Sequence, residues 1–241
     1  MWVDLKNKTA VVTGASRGIG KSISLALADC GAQIVLAARN PENLEKTAQE
    51  IISRGGKAQA IPADISIHQD VVSLFSAVGD KWGNVDILVN NAGYASSGYL
   101  VDYPVEELDK TIQVNVRGTY LCCREALNLM IPAKTGYIIN ISSVVGFKGY
   151  PNQSAYTASK HAIVGITKSL AAEVQEHNIR VSVIMPGGVE TDFTVRTRPD
   201  LDPSVLISPD DIAKTVLYLL SLSDRAMVDQ VYVRRMASKP F

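Results

Sequence analysis

Short, mostly apolar runs occupy residues 9–12, 33–37, 58–62, 87–90, 137–141, 180–185 and 231–233. Each is too short for an ordinary helix, and most are rich in Val, Ile and Ala, so the runs predict seven strands with both faces covered. Between them the apolar residues recur three and four positions apart, as in Ile23, Ala26 and Leu27. That rhythm predicts amphipathic helices, among them segments 105–112, 114–130 and 155–176. Strands alternating with helices call for parallel pairing through right-handed crossovers, which is a doubly wound α/β sheet. A ligand of such a sheet binds beyond the carboxyl ends of the strands, at the point where strand order reverses. No repeat, low-complexity tract or linker interrupts the pattern, so residues 1–241 are expected to form a single domain.

Composition narrows the function classes. Hydrophobic residues make up 46% of the chain and aromatics only 6%, which suits aliphatic parallel strands between helices. The 24 basic and 24 acidic side chains cancel and form no long basic run, so neither nucleic acid nor an anionic membrane is an expected partner. Met1 to Lys6 lacks a charged start leading into an apolar run, and no apolar stretch reaches about 18 residues, so a cytoplasmic protein is expected. Cys30, Cys122 and Cys123 are expected as reduced thiols, and the scattered His68, His161 and His177 give no expectation of a metal site.

Two spacings carry chemistry. The first apolar run leads into Thr13-Gly14-Ala15-Ser16-Arg17-Gly18-Ile19-Gly20 and then into a helical pattern. Glycines let backbone approach a ligand closely, and a helix start offers free N–H groups and a positive dipole end to a pyrophosphate. Further on, Tyr156 and Lys160 stand four residues apart on a predicted helix and therefore share a face. A free phenol titrates near pH ~10, and a cation within ~4–6 Å favours the phenolate. Lys160 is therefore expected to lower the Tyr156 pKa and make it a general acid or base.

The glycine spacing T-G-x-x-x-G-x-G resembles that of the short-chain dehydrogenase/reductase family, and the resemblance extends over essentially the whole chain. Asp64 resembles the family's adenine-contacting acid, Asn90-Asn91-Ala92-Gly93 its N-N-A-G segment, and Asn115 its helical asparagine. Ser143 is preferred to Ser142 because the family's serine lies thirteen residues before its tyrosine. The resemblance implies strand order 3-2-1-4-5-6-7 and a catalytic set of Asn115, Ser143, Tyr156 and Lys160, with Asn115 holding a water that links Lys160 to solvent. It implies a dinucleotide held by Gly14, Ser16, Arg17, Gly18, Ile19 and Gly20, and by Asp64 and Ile65. Asn91, Ala92 and Gly93, then Tyr156 and Lys160, then Pro186, Gly187, Val189 and Thr191 would complete that site. The implied reaction moves a hydride between a nicotinamide and a carbonyl or secondary alcohol. The four catalytic candidates are all retained, which weighs against the alternative of an inactive dinucleotide-sensing module.

Cofactor choice follows from charge. Where folds that use NAD place an acid about 20 residues past the glycines, this chain has Ala38, followed by Arg39. With Arg17 in the glycine loop, two guanidinium groups are expected at a 2′-phosphate, which favours NADP. The substrate pocket is expected from Gly93 to Ser96, Val144 to Gly146, Tyr150 to Gln153 and the segment after Thr191. That segment, 192–207, is short for a two-helix lid, so an open site is expected, with Arg196 and Arg198 either meeting an anionic substrate or remaining solvated.

The ending Val231-Tyr232-Val233-Arg234-Arg235-Met236 lacks the family's usual Asp-Gly-Gly and resembles members acting on 3-hydroxy acids, besides 3-oxoacyl reductase-like proteins. A small carbonyl substrate, such as a 3-oxo acid or its thioester, is expected. So is a homodimer or homotetramer packed through helices 105–112, 114–130 and 155–176, with Cys122 and Cys123 near the interface.

Overall fold

The computed structural model describes residues 3–198 and 201–239. Its strands are β1 (Thr9–Thr13), β2 (Gln33–Ala38), β3 (Lys57–Pro62), β4 (Ile87–Asn90), β5 (Gly136–Ile141), β6 (Ile179–Pro186) and β7 (Gln230–Val233). Each expected run lies inside one of them, and most strands extend a residue further at one end or both. The added residues include Thr13, Lys57 and Gln230, which pair with Ala37, Gln33 and Val183. Polar side chains do not announce a strand, but the ladder is made by backbone groups, and these continue to pair.

The helices are α1 (Gly18–Asp29), α2 (Pro41–Ser53), α3 (His68–Trp82), α4 (Val105–Ile112), α5 (Thr119–Ala133), α6 (Ser154–Val174), α7 (Asp192–Thr197) and α8 (Pro209–Leu220). A π-helical turn, Gln113–Gly118, joins α4 to α5. The expected helix 114–130 therefore starts inside that turn and runs on to Ala133. The expected helix 155–176 gives way after Val174 to a tighter 3-10 turn, Gln175–His177.

All strand pairs are parallel, in the order β3-β2-β1-β4-β5-β6-β7. Direction reverses between β1 and β4, so the loops that follow these two strands flank the crevice. Successive side chains of a strand point to opposite faces. Ala10 and Val12 pack with Ile23 and Leu27 of α1 and with Ile212, Val216 and Leu219 of α8. Val11 packs on the other face with Val71, Leu74 and Phe75 of α3 and Leu121 and Ala126 of α5. Both faces are thus dry, which is why the strands read as unbroken apolar runs. Each buried Leu, Ile or Val contributes roughly 1.5–3 kcal/mol relative to exposure.

Cys122 and Cys123 are fully or almost fully buried in this second layer, where the Cys123 sulfur accepts a hydrogen bond from Asn90 Nδ2 at 3.2 Å. Burial pushes both thiols up, Cys123 to about 12. Among the described residues no helix is long and apolar enough to cross a membrane.

Candidate active site

The chain leaves β1 in a tight turn. Gly14 and Gly18 take φ of +65° and +54°, a region that suits glycine. A Cβ on Gly14 would stand 2.8 Å from Ala92 Cα, and one on Gly20 would stand 2.4 Å from Asn91 Nδ2. The loop therefore lies directly on the residues that follow β4. Asn91 Nδ2 fastens it by donating to the carbonyls of Thr13 (3.0 Å) and Gly14 (3.2 Å). The Thr13 hydroxyl accepts from the backbone N–H groups of Asn91 and Ala92, both at 3.1 Å. This arrangement opens the first turn of α1, with its unpaired N–H groups, onto a cavity of about 720 Å³. A glycine cradle facing a helix start fits a pyrophosphate.

The catalytic candidates converge from three elements. Tyr156 and Lys160 lie on the first turns of α6, with the ammonium 5.6 Å from the centre of the phenol ring. Lys160 Nζ donates to the Ile141 carbonyl at 2.9 Å, which leaves two of its protons for other acceptors. Ser143 follows β5, and besides its hydrogen bond with Tyr156 its hydroxyl makes long contacts to the Pro186 carbonyl and from the Val145 N–H, both 3.4 Å. Ser142 is committed elsewhere: its buried hydroxyl donates to the Lys160 carbonyl at 2.9 Å and ties α6 to β5.

Burial sets the titration of this cluster. It pushes Tyr156 up to about 12, against a smaller downward pull from the Ser143 hydrogen bond. It pushes Lys160 down to about 8. The expectation that Lys160 lowers the Tyr156 pKa is therefore reversed in the protein alone. Loss of water around the phenolate sets the direction of the shift, and Lys160 does not offset it.

Asn115 stands behind the cluster. It sits in the π-helical turn, fully buried, where its Oδ1 accepts from the Tyr94 N–H (2.7 Å). Its Nδ2 donates to the Tyr94 carbonyl (2.8 Å) and to Ser159 Oγ (2.9 Å). Both amide protons are used, and one lone pair of Oδ1 remains. Single π turns inside helices often mark functional sites. Here the turn aims Asn115 at both the loop after β4 and α6.

A second cavity, about 460 Å³, lies beyond Tyr156. Ser143, Tyr156, Gly187, Phe193 and Thr194 line both cavities and so form their common wall. The other residues assigned to the dinucleotide from sequence line the larger cavity, with one exception: Gly20 lies beneath the loop, where it makes room for Asn91. Arg17 reaches Asp192 at 3.4 Å, an exposed pair of little energetic weight, while Arg39 has no ion-pair partner among the described residues. Of the two arginines expected near substrate, Arg198 lines the smaller cavity and Arg196 does not, because Arg196 faces solvent from the last turn of α7.

Sequence reasoning assigned no role to Thr13 or to Ser159, and read the tail after β7 only through its missing Asp-Gly-Gly. Thr13 was legible as the first letter of the glycine motif. Nothing local places the tail at a cavity, yet Arg234, Arg235, Ala237, Ser238 and Lys239 line the smaller one, so the short α7 segment does not leave that side bare.

A profile of the short chain dehydrogenase family matches residues 8–202. An uncharacterized oxidoreductase of Staphylococcus epidermidis is 36% identical over 230 residues, spanning 95% of this chain and 98% of its own length. A counterpart from Staphylococcus aureus matches over the same spans, also at 36% identity. Among solved structures, a metagenomic short-chain oxidoreductase in complex with NADP is 37% identical, covers 97% of this chain and 99% of its own, and superposes with a TM-score of 0.86. An alcohol dehydrogenase from the archaeon Thermococcus sibiricus, complexed with 5-hydroxy-NADP, is 30% identical with the same coverage and a TM-score of 0.90.

Proposed function

The chain belongs to the short-chain dehydrogenase family and is a nicotinamide dinucleotide-dependent oxidoreductase acting on CH–OH or carbonyl groups; within that class we propose that it uses NADP(H) and reduces a 3-oxo acid or its acyl thioester. One observation carries the reading. Tyr156 and Ser143 stand in the common wall of the two cavities, so one hydroxyl pair faces both a dinucleotide and whatever fills the smaller space.

Preference for NADP over NAD rests on Ala38 and Arg39. Ala38 closes β2 where an acid would accept the ribose 2′-OH, and Arg39, without an ion-pair partner among the described residues, follows just ahead of α2. Asn40 caps α2 by accepting the Asn43 N–H at 2.8 Å, which fixes the start of the helix beside Arg39. Both solved relatives named above hold NADP-type dinucleotides.

When bound, the dinucleotide supplies or accepts the hydride. The chain's own residues handle the proton. Ser143 and Tyr156 hold the substrate oxygen, and Tyr156, protonated across the physiological range, donates its phenolic proton as charge develops there. The Lys160 ammonium then stabilises the phenolate left behind. Asn115 positions this machinery by bridging the Tyr94 backbone to Ser159, and its remaining lone pair is the point at which a water on the path to Lys160 would be held.

The exposed apolar side chains Leu100, Val101, Val105, Leu108 and Tyr120 lie on α4, on α5 and on the turn before α4. Exposed apolar side chains on neighbouring elements support a homodimer or homotetramer built through these helices.

Tyr156→Phe is the direct test of the catalytic reading. NADPH oxidation with a 3-oxo substrate should fall by roughly 10²–10⁴-fold while NADPH affinity stays within a few fold. Retention of more than about a tenth of wild-type turnover would remove Tyr156 from the role of proton donor.

A further inference from the structure

The smaller cavity has a charge pattern that the chain as a whole lacks. Basic and acidic residues balance over the sequence, 24 against 24. Yet the described residues lining this cavity include the cations Lys148, Arg198, Arg234, Arg235 and Lys239 and no Asp or Glu. Three of those five come from the tail after β7.

The tail is held there by backbone. The Gly187 N–H donates to the Val233 carbonyl at 2.7 Å, just past the β6–β7 pairing. A Cβ on Gly187 would stand 3.3 Å from Arg235 N, and one on Gly188 would stand 3.6 Å from Arg235 Cδ. The tail therefore rests on two glycines, the first of which belongs to the wall shared with the dinucleotide cavity. Arg234 curls the tail back, its Nη1 donating to the carbonyls of Arg235 (3.2 Å), Met236 (3.3 Å) and Ser238 (2.6 Å).

The two adjacent arginines thus differ in their contacts. Arg234 commits its Nη1 to the tail's own carbonyls. Arg235 is half-buried, its stem runs over Gly188, and it enters none of the ion pairs among the described residues. An arginine at the cavity wall, without a carboxylate partner among the described residues, offers a planar fork to an anion. Lys148, whose ammonium lies 5.7 Å and 6.0 Å from the Phe147 and Tyr232 ring centres, adds charge to the same cavity without that geometry.

We propose that Arg235, on the C-terminal tail, reads an anionic group of the substrate, so that the enzyme selects carbonyl compounds bearing a carboxylate or a phosphate. The proposal rests on the reading that Tyr156 protonates a carbonyl substrate in this cavity. It adds the residue that sets specificity and places it outside the family's catalytic motif. A cavity of about 460 Å³ holds a molecule of several carbons, long enough to carry a carbonyl at Tyr156 and an anion at the tail.

The test compares 3-oxohexanoate with its methyl ester, and the phosphate ester of 5-hydroxy-2-pentanone with the free alcohol, using wild type, Arg235→Ala and Arg235→Lys. Arg235→Ala should raise KM for the charged compounds about tenfold to hundredfold, leave kcat within a few fold, and leave the neutral compounds unchanged. Arg235→Lys should recover part of the loss. Whichever charged compound suffers more in Arg235→Ala identifies the anion. Met236→Ala, on the same tail but 92% exposed and outside the cavity, should match wild type. Binding of 3-oxohexanoate to the protein without NADPH, measured by saturation-transfer NMR, separates this proposal from the catalytic one. Binding that depends on Arg235 without any turnover sustains the anion site and sinks the assigned reaction. Turnover in which acid and ester have equal KM, or are equally affected by Arg235→Ala, overturns the anion site and leaves the reaction standing.

Discussion

The two cavities that meet at Tyr156 are built by different means. The larger cavity, proposed for the dinucleotide, is walled by strand ends, by glycines with positive φ and by hydrogen bonds that the Thr13 and Asn91 side chains make to backbone. It mixes Arg17 and Arg39 with Asp64 and Asp192. The smaller cavity, proposed for the substrate, is walled by loops, by α7 and by the tail, and its charged lining among the described residues is entirely cationic. One wall is fixed by where the backbone can go, the other by which side chains distant segments bring along. Reshaping the first should disturb folding and cofactor binding together, whereas reshaping the second should change only which substrate is accepted.

The largest expected effect comes from forcing a side chain into the glycine cradle. Gly14→Val places a branched Cβ at φ +65° and 2.8 Å from Ala92 Cα. Backbone strain and overpacking each cost about 1–3 kcal/mol. NADPH affinity, read by cofactor fluorescence, should fall more than tenfold, and Tm should drop by several degrees. An unchanged Tm with unchanged affinity would show that this wall yields as easily as the other.

Next is a swap at the end of β2 that leaves the cradle intact. Ala38→Asp with Arg39→Val supplies an acceptor for a ribose 2′-OH and removes a partner of a 2′-phosphate. The ratio of kcat/KM for NADPH to that for NADH should shift toward NADH by tenfold or more, since one charge-assisted contact is worth about 1.4 kcal/mol or better. Wild-type preference for NADH would overturn the assignment.

Lys160, one helical turn behind the common wall, predicts a pH dependence. Burial holds Lys160 at about 8, so its ammonium is present below that pH and is lost as pH rises through it, while Tyr156, near 12, keeps its proton throughout. The reductive kcat/KM for NADPH should therefore bend downward above pH 8, by about tenfold per unit. Lys160→Arg, which stays charged, should abolish the bend whatever its overall activity. A wild-type profile flat to pH 10 would mean that Lys160 is not the titrating group.

The smallest effect concerns the surface behind both cavities. Val105→Ser with Leu108→Ser replaces two exposed side chains of α4 and should leave catalysis near wild type while shifting light scattering toward a monomer-sized particle. Wild type that scatters as a monomer at micromolar concentration would contradict the proposed assembly.

The sheet was legible because its signals are local. A strand covered on both faces must be apolar at consecutive positions, as Ala10, Val11 and Val12 are, and a turn with φ above zero calls for glycine, as at Gly14 and Gly18. Tyr156 and Lys160 were legible for the same reason, since residues four apart share a helix face whatever surrounds them. Arg196 and Arg198 show where that logic ends. Two positions apart on a short segment, they carry the same chemistry, and only the course of the chain at the end of α7 sends one into the cavity and the other to solvent.

By itself, then, the sequence determined the alternation of strands and helices, the glycine turn and the pairing of Tyr156 with Lys160 on one helix face, which follow from backbone periodicity and motif spacing, while strand order came from the resemblance to a family. Tertiary structure alone decided the direction of the Tyr156 shift, the core location of Cys122 and Cys123, and the presence of Arg235 in the substrate cavity. Each of these depends on desolvation or on contact between segments far apart in the chain. A pKa moves with the water that packing removes, and packing is a property of the assembled molecule.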